Sequence, residues 1–154
     1  MSTRAIVGVV QNDGSFLGAW QWNDGGYIID KLNRKFVDDK SVKDLLSVGM
    51  WSAMYGAREF KNYFPTARID TNTNVAYIDN RNYIHHALIV NNVFLTIESD
   101  ELYDKQPRVY KNVEEAFSQD INYIYIYFPQ LHRWKKYGNL RALYNDGLVS
   151  RPTW

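Results

Sequence analysis

Three histidines, His85, His86 and His132, are the first candidates for metal ligation or general-base chemistry. Adjacent residues of a strand point to opposite faces, so His85 and His86 cannot close on one ion without a bulge. The chain contains no cysteine, which excludes disulfides and thiolate metal sites and leaves only His, Asp and Glu for zinc. Ser2 and Thr3 could serve as an N-terminal nucleophile after loss of Met1, with the α-amine as base. Asp13, Asp24, Asp70 and Asp79 stand at turn positions and could gather on one sheet rim around Mg²⁺, although an aspartate in a turn usually caps its own backbone. No nucleophile elbow, glycine-rich phosphate loop or paired-His zinc helix is present. These residues therefore assign no catalytic group, no metal site and no cofactor.

Binding chemistry is better represented. Tyr123, Tyr125 and Tyr127 alternate with Ile124, Ile126 and Phe128, so three phenol rings share one strand face and could stack bases or nucleotides if that face is open. Covered by helices, the same row is core with its hydroxyls reaching the rim. Asp79 and Arg81 flank one turn and could grip a polar ligand together. Charge is uneven along the chain. Glu98, Asp100, Glu101 and Asp104 form an acidic stretch, while Arg133, Lys135 and Lys136 make a basic strand followed by Arg141 and Arg151. The first could imitate nucleic-acid phosphates and the second could meet phosphate or an acidic protein face. A solvated edge strand guarded by cations is the plainer account of the basic segment.

The elements that must position these residues are readable in outline. Arg4 to Val10 and Phe16 to Trp22 form a hairpin about the turn residues Asn12-Asp13-Gly14. Ile28, Ile29, Leu32 and Phe36 recur at helical spacing. Ser41 with Asp44 resembles a capping box for a second helix closed by Gly49. The stretch 56–74 has no sustained period and contains Pro65, which reads as a long connection. Val75 to Asp79, Tyr83 to Val90 and Val93 to Ile97 read as a meander, with Asn91-Asn92 as one of its turns. Asn112 caps a short helix through Ala116 and Phe117. Asn122 to Phe128 is a strand covered on both faces, Leu131 to Tyr137 is its neighbour, and Leu140, Leu143 and Tyr144 suit a helical turn.

These elements predict an α+β fold: a single domain over 1–154, mainly an antiparallel twisted sheet of about six to seven strands with two to three short helices. The length of 154 residues and the 45% hydrophobic and 23% charged content suit a chain that folds without staples. Aromatic content is high at 16%, a pattern that β-rich cores favour. A net charge of +1 gives no global footprint for nucleic acid. No apolar stretch approaches the roughly 18 residues of a membrane span and no secretory leader is evident, so a cytoplasmic location without membrane contact is expected.

Ser2-Thr3-Arg4-Ala5 opening a strand, then Asp13-Gly14 and Trp22-Asn23-Asp24-Gly25, resemble a family of small uncharacterised proteins of phages, prophages and bacteria that begin with a Thr-Arg-Ala strand and a Trp-Asp-Gly-type turn. Val48-Gly49-Met50-Trp51-Ser52 and Ala76-Tyr77-Ile78-Asp79-Asn80-Arg81 are similar to its later signatures. Gln21 stands where the family tends to have His, and Asn23 is an insertion. The resemblance implies a mobile-element accessory protein. The expectation that follows is a non-enzymatic protein acting by binding, as a counter-defence inhibitor of the anti-CRISPR kind. Its partner would be a host defence protein such as a CRISPR effector. The alternative is a nucleotide-binding or nucleotide-processing protein, and exposed aromatics would suit a homodimer interface.

Overall fold

The computed structural model describes residues 2–81, 84–98 and 106–150, with side chains described everywhere there except at 79–81 and 84–85. Strands Ala5–Val10 (β1) and Phe16–Gln21 (β2) form the expected hairpin, paired antiparallel with Gly8 opposite Gly18. Gly14 adopts φ 89° at its tip, a left-handed conformation that glycine takes without strain. Two helices follow, Ile29–Lys35 (α1) and Asp39–Leu46 (α2). The cap of α2 corrects the expectation built on Ser41 and Asp44. Asp38 is the N-cap and accepts from the Ser41 amide at 2.7 Å, while the Asp38 amide donates to the Ser41 hydroxyl at 3.3 Å. A serine three residues after an aspartate completes the same reciprocal box as the more familiar glutamate.

The chain then crosses through Met50–Trp51 (β3) and Met54–Gly56 (β4) into Ala57–Tyr63 (α3) and Arg68–Asp70 (β5). The long connection expected over 56–74 is thus a helix and a short strand. Phe60 is the one buried residue of α3, and a single apolar anchor leaves no period to read. Val75–Arg81 (β6), Ile84–Val90 (β7) and Val93–Ile97 (β8) form the expected meander. Asn91 and Asn92 carry φ of 49° and 62°, the paired left-handed geometry of a two-residue hairpin turn. Arg108–Tyr110 (β9), Val113–Phe117 (α4), Tyr123–Phe128 (β10), Arg133–Tyr137 (β11) and Leu140–Asn145 (α5) complete the chain, with a 3₁₀ turn at Pro129–Leu131. Asn112 caps α4 as expected, accepting from the Glu115 amide at 2.8 Å.

The class is α+β, but the described strands divide between two sheets, and the helices are more numerous than the two or three expected. The first sheet runs β11-β10-β1-β2-β3, with β9 also on β2; the second runs β4-β8-β7-β6-β5. Two pairings in the first sheet, β1 with β10 and β2 with β3, are parallel. Ile6, Phe16, Trp20, Ile124 and Ile126 bury one face of that sheet against Val113 and Ala116 of α4 and Leu143 of α5. Its other face packs Val7, Ala19, Tyr125 and Tyr127 against Leu32, Val42, Leu45 and Leu46 of the helices and Leu95 and Ile97 of the second sheet. Phe60 of α3 closes the far side, stacked on Phe94 with centroids 4.3 Å apart. No helix among the described residues is long and apolar enough to cross a membrane.

Gly8 allows the Phe16 ring to lie across the hairpin. A Cβ at Gly8 would meet the Leu17 carbonyl oxygen at 2.1 Å and the Phe16 ring at 2.8 Å, and the oxygen belongs to backbone that the sheet ladder holds. Gly8→Ala is expected to destabilise by about 3 kcal/mol or more, at the upper end for overpacking. Urea unfolding checks this, and a loss under about 1 kcal/mol would contradict the close approach.

Candidate functional site

A polar junction fixes how the two sheets meet. Gln21 ends β2 fully buried, and a buried amide must be hydrogen-bonded to be tolerated. Its Oε1 accepts from the Trp51 indole at 2.7 Å, and its Nε2 donates to the Asn23 carbonyl at 2.7 Å. Asn23 Nδ2 donates to the Ser52 hydroxyl at 2.7 Å, which in turn donates to Glu98 Oε1 at 3.1 Å. The Ser52 amide bonds the Thr96 carbonyl at 2.6 Å, joining the crossing chain to β8. Glu98 is therefore half-buried and bonded inward, which corrects its assignment to an exposed phosphate-mimicking surface. Asp100, Glu101 and Asp104 lie outside the described residues.

The tyrosine row is core and not an open stacking platform. Parallel pairing sets Ala5 beside Tyr123, Val7 beside Tyr125 and Val9 beside Tyr127, and the face they share meets the helices. Tyr125 is 0% exposed and Tyr127 2%. Their surroundings differ. The Tyr125 hydroxyl donates to the Gly25 carbonyl, and burial pushes its pKa upward against the lowering effect of the Ile28 amide. Tyr123 is half-buried beneath Lys136, whose Nζ sits 4.1 Å from the ring centroid and donates to the Gly26 carbonyl at 2.7 Å. The Tyr127 hydroxyl is buried with no hydrogen-bond partner among the described residues.

Tyr127 is held firmly in that unpaired state. Its ring lies 5.3 Å from Trp134. Trp134 is pinned through its indole to the Phe36 carbonyl at 2.7 Å and through its amide to Asn33 Oδ1 at 2.6 Å. Burial raises the Tyr127 pKa, and the nearby Asp39 and Asp38 charges raise it further, so the phenol keeps its proton. An unpaired buried hydroxyl costs about 1–3 kcal/mol.

Beside it lies a cleft of about 450 Å³ that Tyr127 lines in part. The cross-strand row Tyr127, Val9 and Leu17 forms its floor. Val42 and Leu46, one turn apart on α2, form the opposite wall, with Asp39, Lys43 and Ser47 along its rim. Pro107, Pro129 and Gln11 are the other lining residues among those described. The volume falls within the range of small-molecule sites, and largely apolar walls with a few polar groups are their usual lining.

The other sequence candidates are dispersed or committed. Arg133 is exposed on β11, Lys135 reaches Asp146 at 3.8 Å, and Lys136 serves Tyr123 and Gly26. Asn33 of α1 bonds both the amide and the carbonyl of Trp134, which covers part of that edge strand. Asp79 and Arg81 fall on β6, and their side chains lie outside those described. Asp13 bonds the Ser15 amide at 3.0 Å and Asp70 the Asn72 amide at 2.9 Å, each capping its own turn. Among the described residues no three His, Asp or Glu side chains gather as a metal site would need. Sequence reasoning missed Val9, Leu17, Val42 and Leu46 because lining a cleft and filling a core demand the same apolar residues. Gln21 carried a signal, since an amide inside an apolar strand has to find a buried partner.

Tyr127→Phe is expected to leave stability unchanged or raise it by up to about 1 kcal/mol, because it removes an unsatisfied group. Tyr125→Phe, which orphans the Gly25 carbonyl, is expected to cost about 1–2 kcal/mol. Chemical denaturation of the two variants distinguishes them, and a loss at Tyr127 equal to that at Tyr125 would show its hydroxyl to be paired.

With the geometry in place, comparison with known proteins adds no neighbour: no family model, curated protein or solved structure matches the chain.

Proposed function

We propose that the protein acts by binding, and that what it binds is a small molecule held between α2 and the floor row Tyr127, Val9 and Leu17. The cleft itself, of about 450 Å³ with Val9 and Leu17 on its floor and Val42 and Leu46 on its wall, is the observation that carries the reading. Apolar walls of this kind bury the body of a small molecule and supply affinity through the hydrophobic effect. This keeps the expectation of a protein that acts by binding and changes the class of what is bound. It weakens a nucleotide as the ligand, because among the described residues Lys43 is the single cation lining the cleft and Asp39 stands one turn before it.

A fragment that binds only the folded state raises the melting temperature. Neutral aromatic fragments are expected to do so, and nucleotides are not. Val9→Phe, which places a ring in the cleft from its floor, should abolish the shift while leaving the unliganded protein folded. Shifts that persist in Val9→Phe, or none in the parent protein, would defeat the reading.

A macromolecular partner is the second reading, favoured by aromatic side chains standing in solvent: Tyr27 is 83% exposed and Tyr63 67%. Such rings are the usual anchors of protein interfaces. On this reading the chain is an accessory protein of a mobile element that docks on a host defence complex, the role implied by its resemblance to phage and prophage proteins. A nuclease-complex component retained from bacterial lysate by the parent, and lost on the combined change Tyr27→Ala and Tyr63→Ala, is the expected result. Equal retention by both would remove these rings from the interface.

A further inference from the structure

β5 ends the second sheet, so one side of its backbone faces no further strand. The ladder fixes which groups point that way. The Ile89 amide donates to the Asn74 carbonyl at 2.8 Å, and hydrogen-bonded pairs alternate along antiparallel strands, so Ala76 bonds across to Ala87. Val75 and Tyr77 then turn their amides and carbonyls to β5, where they oppose Asp70 and Arg68. Ile69, between those two, is left with its amide and carbonyl pointing out of the sheet. Its side chain extends the apolar row of Ala87 and Ala76 and is 39% exposed. Arg68 and Asp70 stand on the opposite face, Arg68 with its guanidinium 4.8 Å from the Tyr77 ring centroid. Among the described residues neither Arg68 nor Asp70 forms an ion pair.

We propose that β5 pairs antiparallel with β5 of a second copy of the chain, on a two-fold axis at Ile69. At that register the Ile69 amide of each copy donates to the Ile69 carbonyl of the other, which is the pattern of an antiparallel hydrogen-bonded pair. Arg68 then stands directly opposite Asp70 of the second copy, and Asp70 opposite its Arg68. Such flanking pairs have Cα atoms about 4.5 Å apart, close enough for opposite charges to stabilise the pairing at both ends. An axis moved to Arg68 or to Asp70 would set like charges against each other, so the charges select the register that the backbone also requires. The apolar row continues across the axis through the two Ile69 side chains. The chain's own β5 is thus a strand that satisfies both charges at once, and the two-fold pairing is closed, with neither copy keeping this edge open to a third.

Sedimentation velocity of the full chain, from micromolar to millimolar concentration, is expected to show a reversible dimer, a weak one because the strand is short. Ile69→Pro removes the outward amide, at an edge position where proline is tolerated. It is expected to weaken the dimer by roughly ten- to a hundredfold, the size of two hydrogen bonds. Arg68→Asp and Asp70→Arg each set like charges across the axis, and each variant alone is expected to be monomeric. Mixed together they are expected to form a heterodimer, because every charge then meets its opposite. A role for either residue confined to its own copy would not produce that rescue. Circular dichroism checks that each variant is folded. A parent protein that is monomeric at every concentration would overturn the proposal, as would a dimer that persists unweakened in Ile69→Pro. A mixture no more associated than its components would overturn the register at Ile69.

Discussion

The hydrogen bond between the Trp51 indole and the buried Gln21 amide sits where the chain leaves one sheet for the other, and the rest of the architecture is arranged around it. Gln21 also holds the Asn23 carbonyl, and Asn23 and Ser52 continue the bonding to Glu98 at the end of β8. Each group in this chain would be costly to bury alone, and together they satisfy one another. The same polar series sets the separation of the sheets. That separation leaves room for α1 and α2 to pack beside the second sheet on the inner face of the first. Hydrophobic burial alone is non-directional, and it would accept several offsets between two apolar sheet faces. Paired amides, indole and hydroxyls accept far fewer.

The tyrosine row shows how one strand face can serve two purposes. At the end near the hairpin's chain ends, Tyr125 is satisfied by the loop carbonyl of Gly25 and behaves as core. At the end near the hairpin tip, Tyr127 receives the same degree of burial without a partner, beside a cleft. Identical residues two positions apart thus differ by a single hydrogen bond. One hydroxyl is satisfied by the loop and the other finds no partner among the described residues. The edge of the sheet supports this arrangement, since β11 supplies Trp134 to brace the Tyr127 ring and α1 supplies Asn33 to lock Trp134.

Much of the local structure was legible. The alternation of Tyr123, Tyr125 and Tyr127 with Ile124, Ile126 and Phe128 predicted a strand covered on both faces, and β10 is that strand. The hairpin of β1 and β2, the meander of β6 to β8, and the Asn112 cap of α4 also follow from nearest-neighbour chemistry. The strands of two or three residues were illegible. β3, β4, β5 and β9 contain too few residues to display a period, and their existence depends on partners far along the chain.

The sequence by itself determined which faces of its longer strands and helices are apolar, because side-chain direction follows backbone period wherever a segment is long enough to show it. It determined the turns at Asp13-Gly14 and Asn91-Asn92, because Asn and Gly tolerate left-handed backbone that other residues resist. Only the tertiary structure decided that β1 lies parallel to β10 across more than a hundred residues of chain, that two sheets form in place of one, and that Glu98 faces inward. It also decided which tyrosine hydroxyl is left over. That outcome has no local cause: a hydroxyl is paired or unpaired according to which distant carbonyl the fold brings within reach, and Gly25 reaches Tyr125 while nothing described reaches Tyr127.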